Sequence, residues 1–161
     1  MKKIPLTQGE YTIVDDEDFD LVNQFKWNLL RAKSNRKYAI GSGPKKNKLV
    51  LIHRFIMPCK RNETIDHING DALDNRKSNL RICSFADNLK NRKVNKNNKS
   101  GYKGVWLGRK QYRAEIMSDK KRYYLGSFLT AKEAALAYDM AAKKYHGEFA
   151  LLNFYKKSLE L

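Results

Sequence analysis

Asp66 and His67 stand side by side in TIDHING, Asn79 follows in NLR, and Asn88 lies in SFADNLKNR. The chain has three histidines, and His67 is the one directly beside a carboxylate. A carboxylate oxygen and an amide oxygen, here Asp66 and Asn88, are the donors that a hard divalent ion such as Mg²⁺ or Mn²⁺ prefers over sulfur or imidazole. An imidazole next to that pair can take a proton from water near neutral pH. A nucleophilic water, a proton acceptor and a cation that neutralises phosphate charge are what phosphodiester hydrolysis requires. Read singly, an Asp-His pair is an ordinary surface pair and asparagines are ordinary loop residues. Their grouping within one strand-turn-strand-helix pattern, next to a basic stretch, is what points to a site.

The elements that must position these residues are legible nearby. Thr64–Asp66 reads as a strand running into His67, Asn69-Gly70 as a turn, and Leu80–Cys83 as a second strand. Along that strand side chains alternate, so His67 points away from Asp66 and need not bind the ion. Ser84, with Asp87 three residues on, has the form of a capping box for a helix from Phe85 to about Arg92. Upstream, Ile4 to about Phe55 reads as short strands around one helix. That helix, Asp16–Phe25, has Phe19, Val22 and Phe25 at helical spacing and acidic residues in its first turn, where the helix dipole favours them. Trp27–Leu30, Lys37–Ile40 and Leu49–Ile52 are expected strands, with GSGPKKNK a loop. This segment is expected to be scaffold and a flanking DNA contact.

Charge decides the partner class. Among 161 residues, 33 Lys+Arg oppose 17 Asp+Glu, a formal +16. From Lys90 to Tyr123 only Glu115 and Asp119 are acidic. A chain of this kind is drawn to polyanions, nucleic acid foremost. Asp15–Asp20 is acidic instead. Cys59 and Cys83 form no Cys-x-x-Cys motif, so they are expected to be reduced, buried and structural. The opening residues lack an apolar signal region and no apolar run is long enough for a bilayer, so a cytoplasmic, non-membrane protein is expected.

KVNKNNKSG, residues 93–101, reads as a polar linker along the phosphate backbone. Beyond it, Gly104–Leu107, Gln111–Ile116 and Arg122–Gly126 form an expected three-stranded meander. Thr130 and Glu133 then form a capping box for a helix Ala131–Tyr145, stopped before Gly147. Ala134, Tyr138, Ala141 and Tyr145 make one stripe, read as core.

HRFIM, DHINGDALDNRKSNLR and SFADNLKNR resemble the HNH nucleases, particularly the phage and intron homing-type branch, over roughly Leu51–Arg92. The resemblance implies a ββα-metal fold, Asp66 and Asn88 as metal ligands, and His67 as general base. It makes Asn79 the asparagine that ties the loop and orients His67, and Arg54 a phosphate contact. The branch carries an asparagine where the HNH name has its last histidine. YKGVW, YRAEI and YLGSFLTAKEAALAYDMAAKKYHGEFALLNF resemble the plant ethylene-response-factor (APETALA-two type) DNA-binding domain over about Ser100–Phe154. That likeness implies a sheet in the major groove. It nominates Lys103, Trp106, Arg109, Arg113, Arg122 and Tyr124 as DNA contacts, with Trp106 where the plant domains usually carry a base-reading arginine.

The expected fold is α+β, a ββα-metal unit followed by a three-stranded antiparallel sheet packed on one helix. The expected domains are 1–92 (nuclease), 93–99 (linker) and 100–155 (DNA reader). The expected function is a monomeric, metal-dependent, site-preferring endonuclease of homing type that nicks one strand of double-stranded DNA. Two rival readings are a DNA-binding regulator with an inactive nuclease unit, and an RNA-binding protein of ribosomal type.

Overall fold

A computed structural model describes residues 1–33, 35–43, 48–95 and 97–154. Residues 44–47 of the expected GSGPKKNK loop, and residue 96 of the expected linker, lie outside the described residues. The chain forms two compact units, Met1–Asn88 and Leu89–Leu161. Both mix helix with small antiparallel sheets.

In the first unit, strands β1 (Lys2–Pro5) and β2 (Tyr11–Val14) pair antiparallel. Helix α1 (Asp16–Asn23) follows and buries Val22. Strands β3 (Trp27–Arg31), β4 (Lys37–Gly41) and β5 (Val50–Leu51) make an antiparallel sheet in that order. The apolar run at Leu49–Ile52 is only partly a strand. It ends at Leu51, and a short helix α2 (Ile52–Ile56) begins, burying Ile52, His53 and Ile56. Residues 52, 53 and 56 share one helical face, which is how an apolar run too short for its period to be diagnostic is read as strand.

The hairpin of β6 (Thr64–His67) and β7 (Leu80–Cys83) has the register Ile65↔Ile82, Asp66↔Arg81, His67↔Leu80. Residues directly opposite share a face. One face therefore carries Ile65, His67, Leu80 and Ile82, and the other carries Asp66, Arg81, Thr64 and Cys83. Ile65 and Leu80 join the core formed by Ile4, Val14, Val22, Trp27, Leu29, Ala39 and Ile52. The hairpin is thus anchored in a core supplied largely by the first 52 residues. Helix α3 (Phe85–Lys90) follows β7 directly and is shorter than expected at its carboxy end. Ser84 Oγ accepts from the Asp87 N–H at 3.1 Å and donates to Asp87 Oδ2 at 2.6 Å.

In the second unit, β8 (Val105–Leu107), β9 (Tyr112–Ser118) and β10 (Lys121–Phe128) form the meander. Asp119 and Lys120, both at positive φ (50° and 63°), make its second turn, the backbone that a two-residue hairpin requires. Helix α4 (Ala131–His146) opens on the Thr130–Glu133 capping box and ends at Gly147 (φ 55°). Its Ala134, Ala135, Tyr138 and Ala142 bury against Val105, Ala114 and Ile116. Gly104 (φ 72°) lets the helix come this close, since a Cβ there would sit 1.9 Å from Tyr138 Cδ2. The Asp139 carboxylate accepts from the backbone N–H groups of Asn153 and Phe154. Asn153 in turn accepts from the Lys103 N–H at 2.7 Å. These bonds give Asp139 and Asn153 a structural role, tying the segment after α4 back to the helix and to the lead-in of β8.

Candidate active site

His67 ends β6 and is buried, 7% exposed. Its Nε2 lies 3.2 Å from Asn75 Oδ1. Its ring meets that of His53 edge to face at 5.0 Å. Burial pushes the His67 pKa below its ordinary value; the Asn75 hydrogen bond and the Asp66, Asp71 and Asp74 charges oppose that shift. The ring is therefore neutral at pH 7 and able to accept a proton.

Residues 68–79 form the loop between β6 and β7, and asparagines organise it. Asn79 Oδ1 accepts from the Asn69 N–H at 3.0 Å, while its Nδ2 donates to the Asp74 carbonyl at 2.7 Å. Asn79 thus ties the two limbs of the loop together, while Asn75 bonds to the His67 ring. Asp71 and Asp74 act as turn residues. Asp71 Oδ1 accepts from the Leu73 N–H, and Asp74 holds Arg76 at 2.8 and 2.7 Å. The loop is also gripped from the amino-terminal segment. Thr12 Oγ1 donates to the Leu73 carbonyl at 2.7 Å, the Ile13 N–H donates to the same carbonyl, and the Asn75 N–H donates to the Ile13 carbonyl. Asp15 accepts from the Lys77 N–H, and Glu17 and Asp18 hold the Lys77 ammonium. The acidic start of α1 therefore does more than suit a helix dipole.

On the other face, Asp66 is 5% exposed. Its Oδ2 accepts from Arg81 Nε at 3.0 Å and from Nη2 at 2.6 Å. Asn88 is half-buried in α3, its N–H donating to the Ser84 carbonyl at 3.1 Å. Burial raises the Cys83 thiol, and the Asp66 and Asp87 charges raise it further against Arg81. Raised in this way, the sulfur stays protonated and offers no thiolate to compete as a soft ligand. Among the described residues, no group of three or more His, Cys, Asp and Glu side chains is arranged to hold a metal ion. A carboxylate with an amide oxygen fits a small hard ion, which keeps several waters and takes the rest of its ligands from a phosphate. Such an ion would share the Asp66 carboxylate with Arg81.

His53 is a packed histidine, 6% exposed, and its Nδ1 has no hydrogen-bond partner among the described residues. Burial foremost, then the His67 and Arg54 charges, pushes its pKa down to about 3. The unfolded chain takes up this proton near 6.5, so the unfolded state binds more protons between the two values. Stability should fall as pH drops below 6.5, by up to about 1.4 kcal/mol per pH unit, and the loss should stop near 3. His53→Phe should flatten this slope between pH 6 and 4, as read from denaturant unfolding followed by tryptophan fluorescence with Trp106 replaced by Phe, so that Trp27 alone reports. An unchanged slope would mean that another group carries it. Arg54 is exposed, with Nη1 3.3 Å from Cys59 Sγ. Cys59 is half-buried rather than buried, and both cysteines are free thiols.

In the second unit, Trp106↔Arg113, Glu115↔Tyr124 and Met117↔Arg122 are cross-strand pairs. These residues lie on the sheet face away from α4. Trp106 and Tyr124 are 56% and 61% exposed, so neither is packed in the sheet. Arg113, Arg122 and, in the β8–β9 turn, Arg109 are also exposed. Arg122 lies 3.7 Å from Glu115. Lys103 is placed differently. Its ammonium donates to the Lys90 carbonyl, and burial lowers its pKa to about 8.

Thr12, Asn75 and Arg81 are the residues that sequence reasoning missed. Asn75 lay inside the quoted DHINGDALDNRKSNLR run, but a buried asparagine and a turn asparagine look alike in sequence.

The HNH endonuclease family model matches residues 58–90. An uncharacterized HNH endonuclease of Acanthamoeba polyphaga mimivirus is 25% identical over 152 residues, 91% of this chain and 76% of that protein. Protein 3.8 of Escherichia phage T7 is 32% identical over 95 residues, 58% of this chain and 78% of that protein. Dehydration-responsive element-binding protein 2E of Arabidopsis thaliana is 54% identical over 43 residues, 27% of this chain but only 18% of that protein. No solved structure matches the chain. No helix among the described residues is long and apolar enough to cross a membrane. The family model over residues 58–90 and the likeness to a viral protein named as an HNH endonuclease show that the chain carries an HNH endonuclease domain, and it is a nuclease.

Proposed function

We propose that the chain is a metal-dependent, site-preferring endonuclease of homing type, which hydrolyses phosphodiester bonds in double-stranded DNA and nicks one strand per binding event. The observation that carries this reading is the placement of His67. It is buried beside Asp66, with one ring nitrogen held by Asn75 at 3.2 Å. In this reading the β6–β7 hairpin and α3 are the ββα-metal unit. His67 takes the proton of the attacking water. Asp66 and Asn88 are the oxygen donors for a divalent ion, Mg²⁺ or Mn²⁺, which when bound supplies positive charge against the phosphate and the leaving oxygen. Asn79 holds the loop that carries Asn75. Arg54 contacts phosphate near the site.

The second unit positions the cut. The exposed face bearing Trp106, Arg113, Arg122 and Tyr124, with Arg109 at its edge, suits a sheet lying in the major groove. Arginines can read guanine edges there, and the short plant-domain likeness supports this reading. Lys103, committed to Lys90, contributes to that surface only if its ammonium is released. One active site per chain favours a nick by a monomer.

Supercoiled plasmid incubated with the purified chain tests the reading. With Mg²⁺ or Mn²⁺, relaxed circles should accumulate ahead of linear DNA. EDTA should stop the reaction, and excess Mg²⁺ should restore it. Nicking in EDTA would refute metal dependence, and duplex binding without cleavage in either metal would favour a regulator with an inactive nuclease unit.

A further inference from the structure

The surroundings of Asn75 settle how it meets His67. Asn75 is fully buried, and its Nδ2 lies 2.6 Å from Thr12 Oγ1 and 3.4 Å from the Ala72 carbonyl oxygen. A carbonyl only accepts, so the amide end facing it is the NH₂ group. Thr12 leads to the same answer. Its hydroxyl proton goes to the Leu73 carbonyl at 2.7 Å, so its oxygen accepts from Asn75. Turning the amide over would set its oxygen against two acceptors in a buried site, a costly arrangement. The Asn75 oxygen therefore faces the ring, 3.2 Å from Nε2. A ring nitrogen opposite an acceptor carries the proton, which leaves the lone pair of the neutral imidazole on Nδ1.

We infer that Thr12 and Asn75 are positioning residues of the nuclease. They form a buried relay in which His67 donates to Asn75, Asn75 donates to Thr12, and Thr12 donates to the Leu73 carbonyl. The relay makes Nδ1 the basic atom and gives the imidazolium an acceptor once it has formed. Both side chains are 0% exposed, so water does not substitute for either. The relay's far end is on β2, held in place by the backbone bonds of Ile13 to Leu73 and Asn75. This inference rests on His67 being the general base.

Four variants of the full chain test it, each measured for single-turnover nicking, duplex affinity and thermal unfolding. Asn75→Leu keeps the volume and removes the acceptor. Nicking should fall about 100-fold, with duplex affinity within about twofold of wild type. Asn75→Asp keeps an acceptor for Nε2 and can take the Thr12 hydroxyl proton instead. It should recover at least about tenfold over Asn75→Leu. Thr12→Val should nick about tenfold more slowly than wild type, and Thr12→Ser at least about fivefold faster than Thr12→Val. A merely structural role would make nicking follow the melting temperature across the series, and that result would overturn the inference. Should Asn75→Leu not fold, equal rates for Thr12→Val and Thr12→Ser would overturn it instead. Wild-type nicking by Asn75→Leu beside a dead His67→Ala would refute the relay alone. Full nicking by both would refute the general base itself.

Discussion

His67→Ala should lower the rate of plasmid nicking about 10³-fold while duplex DNA is retained as by the wild type. The size follows from the chemistry. A positioned base contributes on the order of 10²–10⁴-fold, and His67 is the neutral, buried ring beside the only carboxylate on β6. The variant also leaves the Asn75 oxygen, 3.2 Å from the lost nitrogen, without that donor, at a cost of about 1–3 kcal/mol. Rates should therefore be read well below the melting temperature. Filter or gel retention of the same plasmid separates lost chemistry from lost binding. His67→Ala nicking at the wild-type rate would show that another group, or bulk hydroxide, takes the proton.

Replacing Asp66 should cost both chemistry and stability, by separable mechanisms. Asp66→Asn removes the negative charge that would attract a divalent ion, and nicking should fall about 10²-fold or more. It also leaves Arg81, whose side chain is 13% exposed, without the carboxylate it holds at 2.6 Å. Taking one partner from a buried ion pair costs about 3 kcal/mol. Asp66→Asn/Arg81→Leu also removes the guanidinium that the carboxylate had balanced, so stability should return while nicking does not. If nicking returned together with stability, Asp66 would be a structural partner of Arg81 and not a ligand. Extra Mn²⁺ gives a second check, since a weakened ligand set should demand more ion for half-maximal nicking.

The parts of the fold that could be read from sequence are those dictated locally. The β6 and β7 strands, the Asn69-Gly70 turn, the Ser84 cap and the Thr130–Glu133 box all rest on residues within a few positions of one another. So does the burial of Ala134, Tyr138 and Ala141 on one side of α4. The parts that could not be read are set by distant partners. Thr12 and Asn75 are 63 positions apart, and no periodicity announces that a threonine on one strand will meet an amide in a remote loop. Likewise, Asp15 looks like a helix-end acid until Lys77 is seen against it. Arg81 reads as one of many basic residues, and only the register Asp66↔Arg81 reveals that it shares a candidate ligand. At Ile52 the local signal pointed the wrong way, because Leu-Val-Leu-Ile fits a strand as well as the lead-in to a buried helix.

The backbone clasp between Ile13 and residues 73–75 has a consequence for how this nuclease can be cut down or transplanted. The stretch that carries the family signature, 58–90, is not a portable cassette. Excised alone, it would leave behind the strand that shares its carbonyls, and the apolar residues on which Ile65 and Leu80 rest. Any graft or minimal fragment of this enzyme must bring along the preceding segment through Ile52, or provide another chain to brace the loop and cover those apolar residues in its stead.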